Sequence, residues 1–258
     1  ILPPPQAGDW LGSHDEPGQT FNQWLEYDPT LPDKKRNTLY LQPIGKFNDK
    51  QQKIATLTAE YMGLYFGLPV KVAEALPLSV VIDEARRVHP DWGVKQLLTT
   101  YILDHVLKPR LPDDAAAVLG LTTVDLWPGK GWNFVFGQAS LVDRVGVWSM
   151  NRYGSLHKGP GFKKVLLRTI KTATHETGHM FSLLHCTAYK CNMCGSNHLD
   201  ESDAHPLWLC PQCMAKVCTL TNCDPKTRYR KLAEFAKKHL YDYQEKFFLK
   251  SAEALTEP

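Results

Sequence analysis

His175-Glu176-Thr177-Gly178-His179-Met180-Phe181-Ser182-Leu183-Leu184-His185 sets three imidazoles and one carboxylate at spacings that fit a single metal ion. On a helix, positions i and i+4 share a face, so His175 and His179 can bind one ion while Glu176, one step round, reaches a water beside it. His185 lies too far along to continue that stripe, but a turn near Ser182 folds it back toward the same ion. Three protein ligands leave one coordination position open. A zinc ion so held acidifies water to a pKa of about 7 and polarises carbonyl groups, which is the chemistry of peptide-bond hydrolysis.

Upstream residues supply the helix that this reading needs. Leu166, Ile170, Ala173, Thr177 and Met180 form a stripe at about 3.6 residues per turn, turned away from His175 and His179. One face is therefore anchored and the other presents ligands. Downstream the signal is cysteine: all seven lie between Cys186 and Cys223, and none precedes them. Such clustering points to tetrahedral thiolate zinc, although a disulfide framework is the competing reading. Cys210-Pro211-Gln212-Cys213 is one evident pair. By spacing alone its partner pair is Cys191 with Cys194, and Cys186 with Cys191 is the other choice. The odd count leaves at least three thiols outside a four-cysteine site and fits a reducing, cytoplasmic compartment.

The stretch from His175 to Cys213 resembles the archaemetzincins, zinc metallopeptidases of the metzincin clan with the pattern His-Glu-x-x-His-x-x-Gly-x-x-His-Cys, then Cys-x-Met, then Cys-x-x-Cys. Those elements read here as His175, Glu176, His179, His185, Cys186, Cys191-Asn192-Met193 and Cys210-Pro211-Gln212-Cys213. Further similarity lies in Trp132–Ala139, Arg144–Val147, Gly195–Leu199 and near Gly8–Leu11, so the likeness extends over most of the chain. It implies two zinc ions per chain, one catalytic on His175, His179 and His185, one structural on Cys186, Cys191, Cys210 and Cys213. Glu176 becomes general base and acid, Met193 a hydrophobic floor beneath the catalytic ion, and Cys194 a nearby thiol.

The implied fold is α+β and metzincin-like: a mixed twisted sheet with packed helices, the zinc helix at the cleft floor, and a cysteine-rich, zinc-stabilised lower subdomain. One departure stands out. Metzincins carry glycine three residues before the third histidine, where this chain has Ser182; a positive φ there costs serine roughly 1 kcal/mol relative to glycine.

At 258 residues and 43% hydrophobic content the chain can build a substantial core. A net charge of +3 gives no warrant for nucleic-acid binding. No apolar run of membrane-spanning length and no secretion signal is visible, and the start at Ile1 suggests an upstream segment was trimmed. A single catalytic domain over 1–258 is expected, with an arm (1–37), an upper subdomain (38–182) and a lower subdomain (183–258). The expected enzyme is a monomer acting on peptide or protein substrates.

Within the arm a short helix is expected around Thr20–Tyr27, and the arm should pack on the surface; the alternative has Asp9, Asp15 or Glu16 blocking the metal. Next come a strand over Thr38–Ile44, a helix over Gln51–Gly67 and a strand through Val70–Ala73. The spacing of Val94, Leu97, Leu98, Tyr101 and Ile102 predicts a helix. Val118–Leu126, Asn133–Gln138 and Arg144–Met150 read as strands. By resemblance the strand near Phe134–Ala139 is a sheet edge lining the cleft, with Gly137 permitting either close approach or a bulge. Phe134 and Phe136 themselves read as core by alternation.

Asp224 and Pro225 open a helix running to about Leu249, with Leu232, Phe235, Leu240, Tyr243 and Phe247 on its buried side. His198, His205 and His239 read as ordinary residues, and Tyr153 or Tyr189 as possible donors to an oxyanion. Two other functions fit parts of the pattern: a catalytically silent zinc-binding interaction module, and a thermolysin-like peptidase whose third ligand is a downstream Glu.

Overall fold

The computed structural model describes residues 1–156, 161–239 and 241–255. The chain opens with two short helices, α1 (Trp10–Ser13) and α2 (Phe21–Glu26), followed by β1 (Thr38–Ile44), α3 (Asp49–Phe66), β2 (Val70–Val72), β3 (Arg86–Val88) and β4 (Lys95–Leu98). A three-residue turn α4 (Thr99–Tyr101) continues as a wider π-helical stretch over Ile102–Leu107. Strands β5 (Ala115–Thr122), β6 (Asp125–Trp127), β7 (Gly137–Ala139) and β8 (Val145–Ser149) precede the long helix α5 (Gly161–Met180). The chain then closes with α6 (Leu199–Ala204), α7 (Pro211–Thr221), α8 (Pro225–Lys238) and α9 (Asp242–Ala254).

Five strands form one mixed sheet in the order β2-β1-β5-β8-β7, parallel except for β7, which runs antiparallel to β8 at the edge. Strands β3, β4 and β6 form a smaller sheet. Both β5 and β8 are buried along their whole length, because parallel strands covered on two faces need apolar residues at every position. One face, carrying Leu39, Leu41, Leu119, Leu121 and Trp148, shares a core with α3 and α5. The other face, with Ile44, Val118, Val145 and Val147, packs on Leu103, Val106 and Leu107 of the π-helical stretch. Burying each such side chain is worth about 1.5–3 kcal/mol, so α5 is held rigidly by Leu166, Ile170, Ala173 and Met180.

Local signals set several boundaries. Thr20 and Gln23 form a reciprocal capping box that starts α2, and Asn48 with Gln51 does the same for α3. Helix α3 ends where Gly67 turns left-handed at φ 69°. Asp224 accepts from the Thr227 N–H and Pro225 takes the first turn of α8.

Elsewhere tertiary contacts override local pattern. Lys95–Leu98, expected as helix, is strand: the buried Gln96 amide donates to Asp125 Oδ2 (2.7 Å) and the Asn133 carbonyl (2.9 Å), and β4 pairs with β6. Only the last part of that stripe is helical. Val118–Leu126 divides into β5 and β6, and of Asn133–Gln138 only its last two residues belong to β7.

The single C-terminal helix expected to Leu249 is instead two helices. The break lets α9 fold back on α8, so that Phe247 stacks on Trp208 with centroids 3.6 Å apart and Phe248 becomes fully buried. Tyr243, expected inside, is 70% exposed; Leu240 lies outside the described residues.

Candidate active site and metal centres

The anchored stripe of α5 turns its last two turns so that His175 and His179 face a cavity of about 780 Å³. Their Nε2 atoms lie 3.0 Å apart. After Met180 the chain reverses, and Ser182 takes φ 64°, the left-handed turn that brings His185 alongside. One ring nitrogen from each of His175, His179 and His185 then falls within 4.8 Å of the others.

Each Nδ1 is engaged behind the site: His175 with the Asn192 carbonyl (2.8 Å), His179 with the Leu183 carbonyl (2.6 Å), and His185 with both oxygens of Glu16 (2.9 and 3.0 Å). Such partners fix the ring and tautomer, leaving Nε2 with its lone pair toward the cavity, as a metal requires. Burial supports the neutral form, holding His175 well below the usual imidazole range and His179 at about 3.

Ser182 accommodates its strained turn with its hydroxyl, which is 1% exposed as a residue. The Oγ donates to the Leu141 carbonyl (2.9 Å) and accepts from the Thr30 N–H (3.1 Å), tying the arm and the loop before β8 to the end of α5. Glycine could adopt the angle more easily but could make neither bond.

Glu176 is 6% exposed and lines the same cavity. It meets β7 at Gly137, where a Cβ would sit 2.5 Å from Oε1, so the glycine serves close approach rather than a bulge. Burial pushes this carboxyl up to about 8. Gly178, inside the histidine motif, plays the matching part on the other side: a Cβ there would lie 2.6 Å from the Met193 sulfur, which thus packs directly beneath the helix.

A second cluster begins one residue after His185. The sulfurs of Cys186, Cys191, Cys210 and Cys213 lie within 4.8 Å of one another, and all four residues are buried. Backbone N–H groups point at these sulfurs: Met193 and Cys210 toward Cys191 (3.5 and 3.3 Å), and Cys213 toward Cys210 (3.5 Å). Hydrogen bonding from Cys191 and the neighbouring thiols draws Cys186 far below the ordinary thiol range. A buried lysine, Lys216, stands nearby with its pKa lowered by burial and partly restored by the cysteines. Cys194 instead points its thiol at the Tyr189 carbonyl (3.2 Å). The geometry therefore groups Cys186, not Cys194, with the other three. Cys218 and Cys223 form a separate thiol pair, 2.9 Å between sulfurs.

The arm closes one side of the cavity. Trp24 is buried and donates to the Phe181 carbonyl (3.0 Å), Gln19 binds Leu184 and Ser182, and Trp10 sits edge-on to His185. Glu16 approaches His185 from behind, through Nδ1, and so orients the ring rather than blocking the converged nitrogens.

Across the cavity, Phe134 and Phe136 are half-buried wall residues; Phe136 also packs against the core, whereas Phe134 does not belong to it. Arg152 covers the Phe134 ring at 3.7 Å while gripping buried Asp125 with two hydrogen bonds. The two tyrosines lie elsewhere: Tyr153 is buried with its hydroxyl donating to Thr172 (2.5 Å), and neither it nor Tyr189 is among the described residues lining the cavity. His198 caps α6, accepting from the Glu201 N–H (3.2 Å). Its neighbours Asp9 and Glu201 are occupied by the backbone N–H groups of Gln6, Trp10 and Asn197.

The sequence names Glu16 only as a group that could block the metal, not as the partner that orients His185, and it does not single out Lys171. Nothing local marks Glu16, since its partner lies 169 residues away. Lys171 did carry a signal: it stands four residues before His175, on the ligand face.

A helix that offers two histidines and a carboxylate to an open cavity, completed by a third histidine after a left-handed turn, defines a metal-dependent hydrolase. Comparison with known proteins narrows the class. The profile of peptidase family M54 matches residues 65–219. Archaemetzincin-2 of Homo sapiens is 37% identical over 260 residues, covering 88% of this chain and 71% of its own length. The archaemetzincin of Pyrococcus furiosus is 32% identical over 184 residues, covering 70% and 93%.

Among solved structures, archaemetzincin from Methanopyrus kandleri superposes with a TM-score of 0.58 at 29% identity, covering 74% of this chain and 99% of that one. The Archaeoglobus fulgidus archaemetzincin, complexed with malonate, gives 0.56 at 28%, covering 69% and 99%. The chain belongs to peptidase family M54, the archaemetzincins, and is a zinc metallopeptidase. Peptides or proteins are accordingly its substrates, and among the described residues no helix is long and apolar enough to cross a membrane.

Proposed function

We propose that the chain hydrolyses peptide bonds with zinc held by His175, His179 and His185, and that Cys186, Cys191, Cys210 and Cys213 hold a second, structural zinc. The observation that carries this reading is the convergence of three imidazoles, each fixed through Nδ1, beside the Glu176 carboxyl in one cavity. The donor set suits zinc: three nitrogens for a site with an open position, four thiols for a closed one. Bound at the histidines, zinc supplies Lewis acidity, acidifying a water and polarising the scissile carbonyl.

Glu176 takes the proton from that water at its carboxylate and returns it to the leaving amine. Burial alone raises Glu176 to about 8, while positive charge placed at the three imidazoles favours its ionised form, so it accepts a proton near neutral pH. The edge strand β7 offers the outward N–H and C=O groups of Gly137–Ala139 to an extended peptide, which adds as a further strand over the site. His185, and no glutamate, stands in the third position; Glu16 is spent on the far side of that ring.

We read the unit as a monomer with one catalytic domain: an arm (1–37), an upper subdomain (38–182) and a lower subdomain (183–258). Seven cysteines outside any disulfide, four of them read as zinc ligands, favour a cytoplasmic setting.

The test is zinc stoichiometry of the wild type beside Glu176→Gln, together with cleavage of a mixed peptide library. Two zinc ions per chain in both and cleavage by the wild type alone are expected. Cleavage retained by Glu176→Gln would remove its role as base, and two zinc ions without any cleavage would leave an interaction module.

A further inference from the structure

Lys171 lies one helical turn before His175 on α5, and its side chain joins the cavity wall with Thr172, Ser202 and His205. The residue is 6% exposed. Its ammonium donates to the carbonyl oxygens of Ser202 and, at 2.7 Å, of His205. Both partners are neutral. A cation taken out of water is ordinarily matched by an anion, because carbonyl dipoles recover only part of its lost hydration.

The carboxylates around this end of the cavity are already engaged. Arg168 grips Asp203 as a fork, with Nε 2.8 Å from Oδ1 and Nη2 on Oδ2, and Lys164 approaches the same Oδ2 at 3.6 Å. Glu201 accepts from Trp10 and Asn197, and Asp9 from Gln6. Burial accordingly lowers Lys171 to about 8, with Asp203 only partly opposing it.

Lys216, also deeply buried, likewise donates to two neutral oxygens, the Gln19 carbonyl (2.6 Å) and its Oε1 (2.8 Å), but its electrostatic surroundings differ. Lys216 stands beside four cysteines, and four thiolates around a divalent ion leave net negative charge to match it. The opposing charge nearest in effect to Lys171 is Asp203, and that carboxylate is already held by Arg168 and Lys164. What faces it is the cavity.

We propose that Lys171 is a recognition group for a carboxylate on the peptide residue flanking the scissile bond, either an acidic side chain or a free chain end. Two of the three ammonium N–H groups are used, and one remains. Thr172 accepts from the Tyr153 hydroxyl, so its own O–H is left to donate beside it. Four residues along a helix rise about 6 Å, within reach of a glutamate side chain on a residue next to the carbonyl at the histidines. The inference rests on the peptidase reading of the same cavity, so its test must not depend on turnover.

The experiment measures binding of fluorescent hexapeptides to zinc-loaded Glu176→Gln protein by anisotropy. Two matched comparisons are made: Glu against Gln at the flanking residue, and free against amidated carboxyl terminus. The carboxylate form in one comparison is expected to bind about 10–100-fold more tightly, as for a hydrogen bond to a charged group. A gain for Glu over Gln assigns the side chain, and a gain for the free terminus assigns the chain end. Adding Lys171→Met should abolish the difference, and Lys171→Arg should keep part of it. Carboxylate peptides that bind no better than their amides overturn the proposal even if no Lys171 variant folds, and so does a preference that persists in Lys171→Met. Absence of cleavage by the wild type would instead strike the peptidase reading and leave this measurement standing.

Discussion

His185 and Cys186 are neighbours in the chain, yet they belong to two differently built centres. The three histidines stand half-buried at the edge of a large cavity, with their Nδ1 atoms secured and their Nε2 atoms toward open space. The four cysteines are buried, face one another, and are met from outside by backbone groups, three N–H donors and the Tyr189 carbonyl. An open donor set leaves a position for substrate; a closed one leaves none. The histidine region is therefore arranged for reaction and the cysteine region for cohesion, and the contrast can be broken by exchanging their expected losses.

The largest effect is expected in the cysteine lobe. Replacing Cys213 by serine should release one zinc per chain and unfold the lower part of the molecule, because structural zinc contributes folding free energy on the order of 10 kcal/mol. Metal analysis with thermal unfolding reads both. A variant that lost its second zinc yet melted like the wild type would make the cluster dispensable and erase the contrast.

Glu176→Gln should do the opposite, lowering kcat by about 10²–10⁴-fold while leaving zinc content and melting temperature unchanged. Peptide hydrolysis and unfolding, measured on the same sample, test it. Loss of stability as large as the loss of rate would mean that this carboxylate also holds the fold.

Between these extremes lies Lys171, where burial lowers the pKa from 10.5 to about 8. A depressed lysine binds fewer protons in the folded than in the unfolded state between those two values. Stability therefore rises with pH across that window, by at most about 3 kcal/mol, and the gain is lost as pH falls through 8. Denaturant unfolding at pH 7.5 and 10 should show this slope in the wild type and a flatter one in Lys171→Met. Equal slopes would mean that Lys171 finds its counter-charge within the protein.

Much of this arrangement is legible in the sequence because it is local. The spacing of His175 and His179, the opposite stripe of Leu166, Ile170 and Ala173, the capping pairs at Thr20 and Asn48, and the cysteine cluster all lie within a few turns of chain. What the sequence conceals is set at long range. Lys95–Leu98 carries a helical spacing but becomes strand because Gln96 must satisfy Asp125 and Asn133. The break between α8 and α9 follows from the stacking of Phe247 on Trp208, which no local rule signals. Spacing alone favoured Cys194, and only the fold turns its thiol toward Tyr189. Glu16 is the extreme case, joining the histidine centre from the opposite end of the chain.

That reach makes Glu16→Ala a sharper probe of the cleft than any change within the motif. If His185 holds zinc as proposed, removing the carboxylate behind it is expected to weaken zinc binding about 10–100-fold, and chelator competition measures it. The four-cysteine zinc should be unaffected, so only one of two ions should become labile. Unchanged affinity at both sites would reduce the arm to a cover.

The smallest effect separates two physical terms at the joint between the regions. Ser182 holds φ 64°, a conformation costing a non-glycine residue about 1–2 kcal/mol, while its hydroxyl bonds Leu141 and Thr30. Ser182→Gly removes strain and both bonds together. At about 1 kcal/mol per bond the terms nearly cancel, and stability should change by no more than about 1 kcal/mol. Ser182→Ala keeps the strain and loses the bonds, so it should be less stable than Ser182→Gly by about 1 kcal/mol or more. Urea unfolding of the three proteins decides it. If alanine matches serine, the hydroxyl contributes nothing at this turn and the arm is held by its other contacts, those of Trp24, Glu16 and Gln19 among them; if glycine exceeds serine clearly, strain outweighs the bonds and the joint is a stored tension between the two centres.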